Sequence, residues 1–399
     1  MNPRQLFLNH LAQTSQNPLG IQINYAKDEF LYDENNKKYI DIIGGISVCN
    51  IGHQHPDVNH AIEQQLQKYL HVMVYGEIVQ SPQSQYAKTL IDLLPPTLNC
   101  VYFTNSGSEA TEGAMKLAKR YTGKSKIISF KNSYHGSTQG ALSVMGSEYW
   151  QQAFRPLLPN IFLFDYGTQE AIDNIDNNTA CIILEPIQSE AGVFQAPKEW
   201  FLSLRKKCNE TNTLLILDEI QTGFGRTGTF FAFENLGFTP DILLLGKALG
   251  GGMPMGAFIA DKKIMDALST NPVLGHITTF GGHPLCCAAG NAATHFLKKY
   301  LTENKNVVLE KEKLFLEKLK HKKINNITSC GLLMAIHFDD FEINKKIIDK
   351  CIENGVFTDW FLFASNCLRI APPLTISNES IEEACAIILT SIDEVFSTL

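Results

Sequence analysis

Thr213-Leu214-Leu215-Ile216-Leu217 runs into Asp218-Glu219, and Asp241-Ile242-Leu243-Leu244-Leu245 runs into Gly246-Lys247. These two stretches decide the fold. A strand with one wet face alternates apolar and polar residues, whereas a parallel strand covered on both faces is apolar throughout. Each run is therefore a predicted buried strand of a parallel sheet. Ligands of such sheets gather beyond the carboxyl ends of the strands. Asp218 and Lys247 are thus expected in one place.

Outward from this pair the pattern repeats. Apolar runs at 100–103, 126–130, 179–184 and 256–260 alternate with helical or glycine-rich stretches. That alternation predicts an α/β domain with a mostly parallel sheet. Before it lie short strand-like pieces, Phe30-Leu31-Tyr32 and Tyr39-Ile40-Asp41-Ile42, and a helix from Pro56 carrying Val58, Ala61, Ile62, Leu66, Tyr69 and Leu70 at helical spacing. After about residue 290 come an amphipathic stretch at 303–322, a strand at 332–338, a helix near 342–354, a strand near 367–371 and a final helix near 379–396. The expected division is residues 1–50 as the first part of a small α+β domain, 51–290 as a large domain, and 291–399 as the rest of the small one. A chain of 399 residues exceeds what one core usually holds.

Composition narrows the class. Charged residues at 19% and hydrophobic ones at 44% describe an ordinary globular chain, and the net charge of −7 is spread without a basic stripe, so nucleic acid is not an expected partner. Ten cysteines lack CxxC or zinc-finger spacing, which fits a reducing cytoplasm and predicts no metal site. The N-terminal residues do not read as a signal peptide. Segment 242–260 approaches membrane-span length, but Lys247, five glycines and Pro254 interrupt it, so no membrane association is expected.

An acid and a lysine meeting beyond a parallel sheet suit a pyridine cofactor that carries an aldehyde. The lysine condenses with the aldehyde, and the acid keeps the ring nitrogen protonated so that the ring withdraws electrons. The surroundings add to this reading. Val101-Tyr102-Phe103-Thr104-Asn105-Ser106-Gly107-Ser108-Glu109-Ala110 is a strand, a turn of small residues and a helix start, a place for phosphate on free N–H groups with the Ser108 hydroxyl as a further donor. Alone, it is equally an ordinary helix cap. Tyr134-His135-Gly136 follows a strand and offers a ring to stack on a flat cofactor, or else a core tyrosine beside a structural histidine. Leu184-Glu185-Pro186-Ile187-Gln188-Ser189-Glu190 places two carboxylates beyond another strand. Past Asp218, Gln221 is expected to reach a phenolic oxygen and Ile220 to pack on the ring opposite Tyr134, while Arg226 anchors the glycine-dense loop. No GxxxxGK[ST] is present, so a nucleotide P-loop is not indicated.

Taken together, these segments resemble the class III, or ω-amino-acid, aminotransferases, pyridoxal-5′-phosphate enzymes of the aspartate-aminotransferase fold (fold type I). The resemblance runs from Gly44-Gly45-Ile46-Ser47-Val48 and Gly52-His53-Gln54-His55-Pro56 to Leu368-Arg369-Ile370-Ala371-Pro372-Pro373-Leu374. Within the family it is most similar to acetylornithine and ornithine aminotransferases. It implies that Lys247 carries the cofactor and moves the proton, and that Asp218 pairs with the ring nitrogen. It also implies that Gln221 bonds the phenolic oxygen, that Tyr134 and Ile220 enclose the ring, that Gly107 and Ser108 bind phosphate, and that Glu185 belongs to the cofactor site. Thr279 resembles the threonine that reaches the neighbouring subunit's phosphate, which implies a homodimer with shared active sites.

Glu190 and Arg369 match a pair that lets one site accept first an ω-amine and then a 2-oxo acid such as 2-oxoglutarate, in ping-pong order. An arginine suited to the acid is an unpaired buried charge while the amine reacts, and a glutamate can mask it. One departure stands out. Where ornithine-, acetylornithine- and GABA-type enzymes carry an arginine after His-Gly, this chain has Ser137-Thr138. Only Arg4, Arg120, Arg155, Arg205, Arg226 and Arg369 could replace it, Arg155 being one candidate. Donors of the GABA, β-alanine or lysine type, or an aminomutase on the same scaffold, are the alternatives.

Overall fold

A computed structural model describes residues 2–397. The first strands are β1 (Ile23–Lys27), β2 (Phe30–Asp33) and β3 (Lys38–Asp41). The central sheet contains β4 (Cys100–Thr104), β5 (Lys126–Phe130), β6 (Ile161–Phe164), β7 (Thr179–Leu184), β8 (Leu214–Asp218), β9 (Ile242–Leu245) and β10 (Gly256–Ala260). The last strands are β11 (Asn326–Ser329), β12 (Met334–His337), β13 (Val356–Phe357) and β14 (Cys367–Ile370).

The central sheet has the order β4-β10-β9-β8-β7-β5-β6. All its strands run parallel except β10, which is antiparallel to both of its neighbours. Every residue of β7, β8, β9 and β10 is buried. Successive side chains go to opposite faces. Ile182, Leu184, Leu215, Leu217, Leu243 and Leu245 join one core, and Cys181, Ile183, Leu214, Ile216, Ile242 and Leu244 join the other. Two covered faces explain why these strands are apolar at every position.

Four strands were not expected from the sequence: β1, β6, β11 and the two-residue β13. Ile161–Phe164 is a four-residue edge strand with an exposed Phe162, too short to separate from loop by its pattern. The expected helices at 56, 342–354 and 379–396 are present as Pro56–Leu66, Phe341–Glu353 and Asn378–Ser397, and the stretch at 303–322 contains the helix Val307–Lys318.

Residues far apart in sequence share the smaller sheets. β3 pairs in parallel with β13, Ile40 opposite Val356 and Asp41 opposite Phe357, so the N-terminal strands complete a sheet begun near the other end. β11, β12 and β14 form an antiparallel sheet beside it. Arg226 ties these parts together. It donates from Nη1 to Leu332 O (2.9 Å) and Pro372 O (2.6 Å), and from Nη2 to Asn50 Oδ1 (2.5 Å), with its side chain wholly buried. Burial without a bonded carboxylate pushes this guanidinium down to about 9.

Removing Arg226 would strand three buried acceptors, each worth about 1–3 kcal/mol when left unsatisfied. Arg226→Ala is expected to lower unfolding stability by about 3 kcal/mol or more, read as a fall in the urea midpoint. A loss of less than about 1 kcal/mol would show that the guanidinium is not the tie between these segments.

Candidate active site

β7, β8 and β9 end level with one another, Leu184 opposite Leu217 and Asp218 opposite Leu244. The residues that follow therefore share one edge. Glu185, Ser189, Glu190, Asp218, Ile220, Gln221 and Lys247 line one cavity with Ser106, Gly107, Ser108, Tyr134, His135 and Gly136. Of the residues assigned to the cofactor and substrate site from the sequence, all but Thr279 and Arg369 are in that lining. Arg369 lies behind Glu190, and Thr279 is on an exposed loop outside the cavity. Its neighbour Thr278 accepts from Asn105 Nδ2 at 3.1 Å.

Asp218 is buried at the last position of β8. One carboxylate oxygen accepts from the Ile220 N–H at 2.9 Å, and the other lies 2.6 Å from His135 Nδ1. The sequence offers His135 only as a structural histidine, in the alternative reading of the Tyr134 segment. Its contact with Asp218 gives it a second task, orienting the acid, which only the fold reveals because His135 follows β5 whereas Asp218 ends β8. Its Nε2 is buried without a partner, and so is Gln221 Nε2.

Lys247 Nζ donates to Gln221 Oε1 at 2.7 Å. Its backbone has φ +47°, the left-handed region, where a side-chain-bearing residue is strained by roughly 1–2 kcal/mol. Strain of this sort is held by surrounding structure and clusters at functional sites. Burial pushes the amine below its ordinary 10.5, partly opposed by the nearby Glu190 carboxylate. Glu185 is wholly enclosed, and burial raises it to about 7. Its two oxygens accept from the Tyr134 N–H (2.9 Å) and the Ser189 N–H (3.1 Å), joining the aromatic loop to the loop that carries Glu190.

The helix Gly107–Thr122 points its N-terminus at the cavity, with Ser106 as cap accepting from the Glu109 N–H. The first N–H groups of a helix have no partner within it. Gly136 (φ +122°) passes so close that a Cβ there would stand 2.0 Å from Ser108 Oγ, and a Cβ on Gly107 would stand 2.8 Å from the Ile220 side chain. The backbone is thin where a ring and a phosphate need room.

Arg369 makes a bidentate pair with Glu190, Nη1 to Oε1 at 2.7 Å and Nη2 to Oε2 at 3.0 Å. Among the described residues no arginine lines the cavity. Arg155, a candidate from sequence, is exposed and paired with Glu148, and Arg205 is paired with Asp241.

A model described as "Aminotransferase class-III" matches residues 11–392. The chain belongs to the class-III aminotransferases. It is 37% identical over 396 residues to acetylornithine aminotransferase from Methanocaldococcus jannaschii, covering 96% of this chain and 94% of that protein. It is 38% identical over 385 residues to putrescine aminotransferase from Pectobacterium atrosepticum, covering 92% and 81%. Among solved structures it resembles ornithine aminotransferase from Toxoplasma gondii, with a TM-score of 0.90 at 28% identity, covering 99% of this chain and 94% of that one. The protein is therefore an α/β enzyme of the aminotransferase fold with pyridoxal phosphate as cofactor.

The cavity fits that cofactor. A helix N-terminus with Gly107 and Ser108 suits the phosphate, Asp218 the ring nitrogen, the spare Gln221 Nε2 donor the phenolic oxygen, and Lys247 the aldehyde. Among the described residues no helix is long and apolar enough to cross a membrane.

A lysine amine held below 10.5 is uncharged, and reactive, at lower pH than a free one. The rate at which apo-enzyme captures pyridoxal phosphate, followed by absorbance, should level off below pH 10.5. A rate still climbing there would show that Lys247 is not desolvated.

Proposed function

We propose that this aminotransferase moves the terminal amino group of an acetylornithine- or ornithine-like donor to 2-oxoglutarate in a ping-pong cycle. The observation that carries the reading is the buried Arg369 masked by Glu190, which alone of the two lines the cavity. A site that used only amines would have no use for a buried guanidinium, and one that used only α-amino acids would have no use for its mask.

Bound pyridoxal phosphate supplies an aldehyde that condenses with amines and a cationic ring that withdraws electrons from the reacting carbon. Asp218 holds the ring nitrogen, kept in line by His135. Lys247 would hold the cofactor through its aldehyde, and its Nζ would carry the proton away from the donor's reacting carbon to the cofactor. Tyr134 and Ile220 enclose the ring and exclude water, Gly107 and Ser108 hold the phosphate, Gln221 holds the phenolic oxygen, and Glu185 sets the Tyr134 loop. Arg369 then receives the acid's carboxylate bidentately after Glu190 swings aside.

A second reading of the donor has its own support. Ser137 stands where an arginine would grip a distal carboxylate, no other arginine lines the cavity, and one relative is named for putrescine, a diamine. A diamine-type donor is therefore the alternative to acetylornithine.

The same reading makes the enzyme a cytoplasmic homodimer with the domain division given above. Val79 (93% exposed), Val273 (74%), Ile277 (57%) and Phe280 (56%) are large apolar side chains in the open on two loops, and Thr279 lies among them. A second copy covering them would bring Thr279 to its partner's phosphate.

Lys247→Ala should abolish turnover and the borohydride-trappable bond to the cofactor, and an unchanged rate would remove the lysine from its role. Mixing the yellow enzyme with acetylornithine, ornithine, GABA and putrescine in turn should convert the cofactor band, the fastest of them naming the donor class. If none converts it, the ω-amine reading fails. Phe280→Glu should move the protein towards the 44.5 kDa monomer on sedimentation and cut activity. A monomeric wild type would refute the shared site.

A further inference from the structure

Glu190 is not the only acid on Arg369. The guanidinium also donates from Nε to Asp359 Oδ1 at 2.8 Å and from Nη2 to Trp360 O at 2.8 Å, and its central carbon sits 4.3 Å over the Phe361 ring. The backbone joins in, with the Arg369 N–H on Asp359 O at 2.9 Å and Thr358 Oγ1 on Arg369 O at 2.7 Å. The next residues of the same strap hold Glu190: the Leu362 N–H donates to Oε2 at 2.9 Å and the Phe363 N–H to Glu190 O at 3.0 Å. One short segment between β13 and β14 thus grips both members of the pair from outside the cavity.

The two acids are not equivalent. Glu190 occupies the Nη edge, the edge a substrate carboxylate needs, and it lines the cavity. Asp359 occupies the Nε corner and does not line the cavity. When Glu190 withdraws, a guanidinium with no other partner would be a bare buried charge on a long, flexible stem, free to follow the departing carboxylate. Asp359, Trp360 O and the Phe361 face oppose that motion, because each holds Arg369 and none is a hydrogen-bond partner of Glu190. Burial raises the Asp359 carboxyl to about 6 while Arg369 pulls it down, so it is an anion at neutral pH.

We propose that Asp359 is a positioning residue for the acceptor half of the reaction: it holds Nε so that the Nη edge of Arg369 stays charged, paired and aimed at the cavity while Glu190 and the acid's carboxylate change places. This rests on the reading that Arg369 receives the acceptor.

The test uses holoenzyme, the KM for 2-oxoglutarate, and the single-turnover rate with an amine donor. Asp359→Ala should raise that KM about tenfold, the worth of one charge-assisted hydrogen bond, while the donor rate stays within about twofold. Asp359→Asn, which keeps an oxygen for Nε, should stay within about threefold of wild type in KM. If the Ala variant does not fold, Asp359→Ser, too short to reach Nε, carries the same expectation. An unchanged KM, an equal loss in both halves, or an Asn variant as impaired as Ala overturns the proposal. Arg369→Lys separates the two levels. A raised KM there with no effect at Asp359 leaves the acceptor reading standing and removes this inference, whereas an unchanged KM in Arg369→Lys removes the acceptor reading itself.

Discussion

The bidentate pair between Arg369 and Glu190 closes at 2.7 and 3.0 Å with both side chains almost wholly out of water. A buried charge needs a partner in every state the site visits, and the local architecture follows from that demand. Two charges taken from water must recover their hydration from each other and from fixed hydrogen bonds. Here the recovery comes from Asp359, Trp360 O and the Leu362 N–H, all delivered by one strap. Glu190 is held well within the ionised range by Arg369, against the effect of its own burial.

The same demand shapes the cofactor end. Asp218, Glu185 and Lys247 are ionisable groups at the edge of an apolar sheet, and the neighbouring loops supply the partners that water no longer gives them. His135 and the Ile220 N–H serve Asp218, the Tyr134 and Ser189 N–H groups serve Glu185, and Gln221 serves Lys247. Several of these partners also line the cavity, so the groups that satisfy the charges are the ones that shape the site. The left-handed backbone at Lys247 fits this picture, since a strained residue persists only where its surroundings over-determine it.

Arg226 shows the opposite solution. It is buried with no bonded carboxylate and donates to two carbonyls and an amide oxygen from three distant segments. Neutral acceptors leave the guanidinium poorly compensated, which is why its affinity for the proton falls. What that arrangement supplies is reach: a single side chain closes the glycine-dense loop onto Asn50, Leu332 and Pro372.

Much of this was legible in the sequence, and for a definite reason. A strand buried on both faces has no freedom to alternate, so β7, β8 and β9 announce themselves as unbroken apolar runs, and whatever follows them must emerge at the same edge of the sheet. Asp218, Glu185 and Lys247 were placed by that rule. Residues whose environment depends on distant chain were not. His135 faces Asp218 across two strands, Asp359 meets Arg369 across a turn, and Ile40 pairs with Val356 over most of the chain's length. β6 and β11 are short and only partly buried, so no periodic pattern marks them. The amino-acid sequence by itself determined the layers, the edge where chemistry gathers and the kinds of group brought there, because burial acts on each strand locally. Only the tertiary structure decided which charge faces which, because partners for buried charges are chosen by proximity in space, and no spacing along the chain records it.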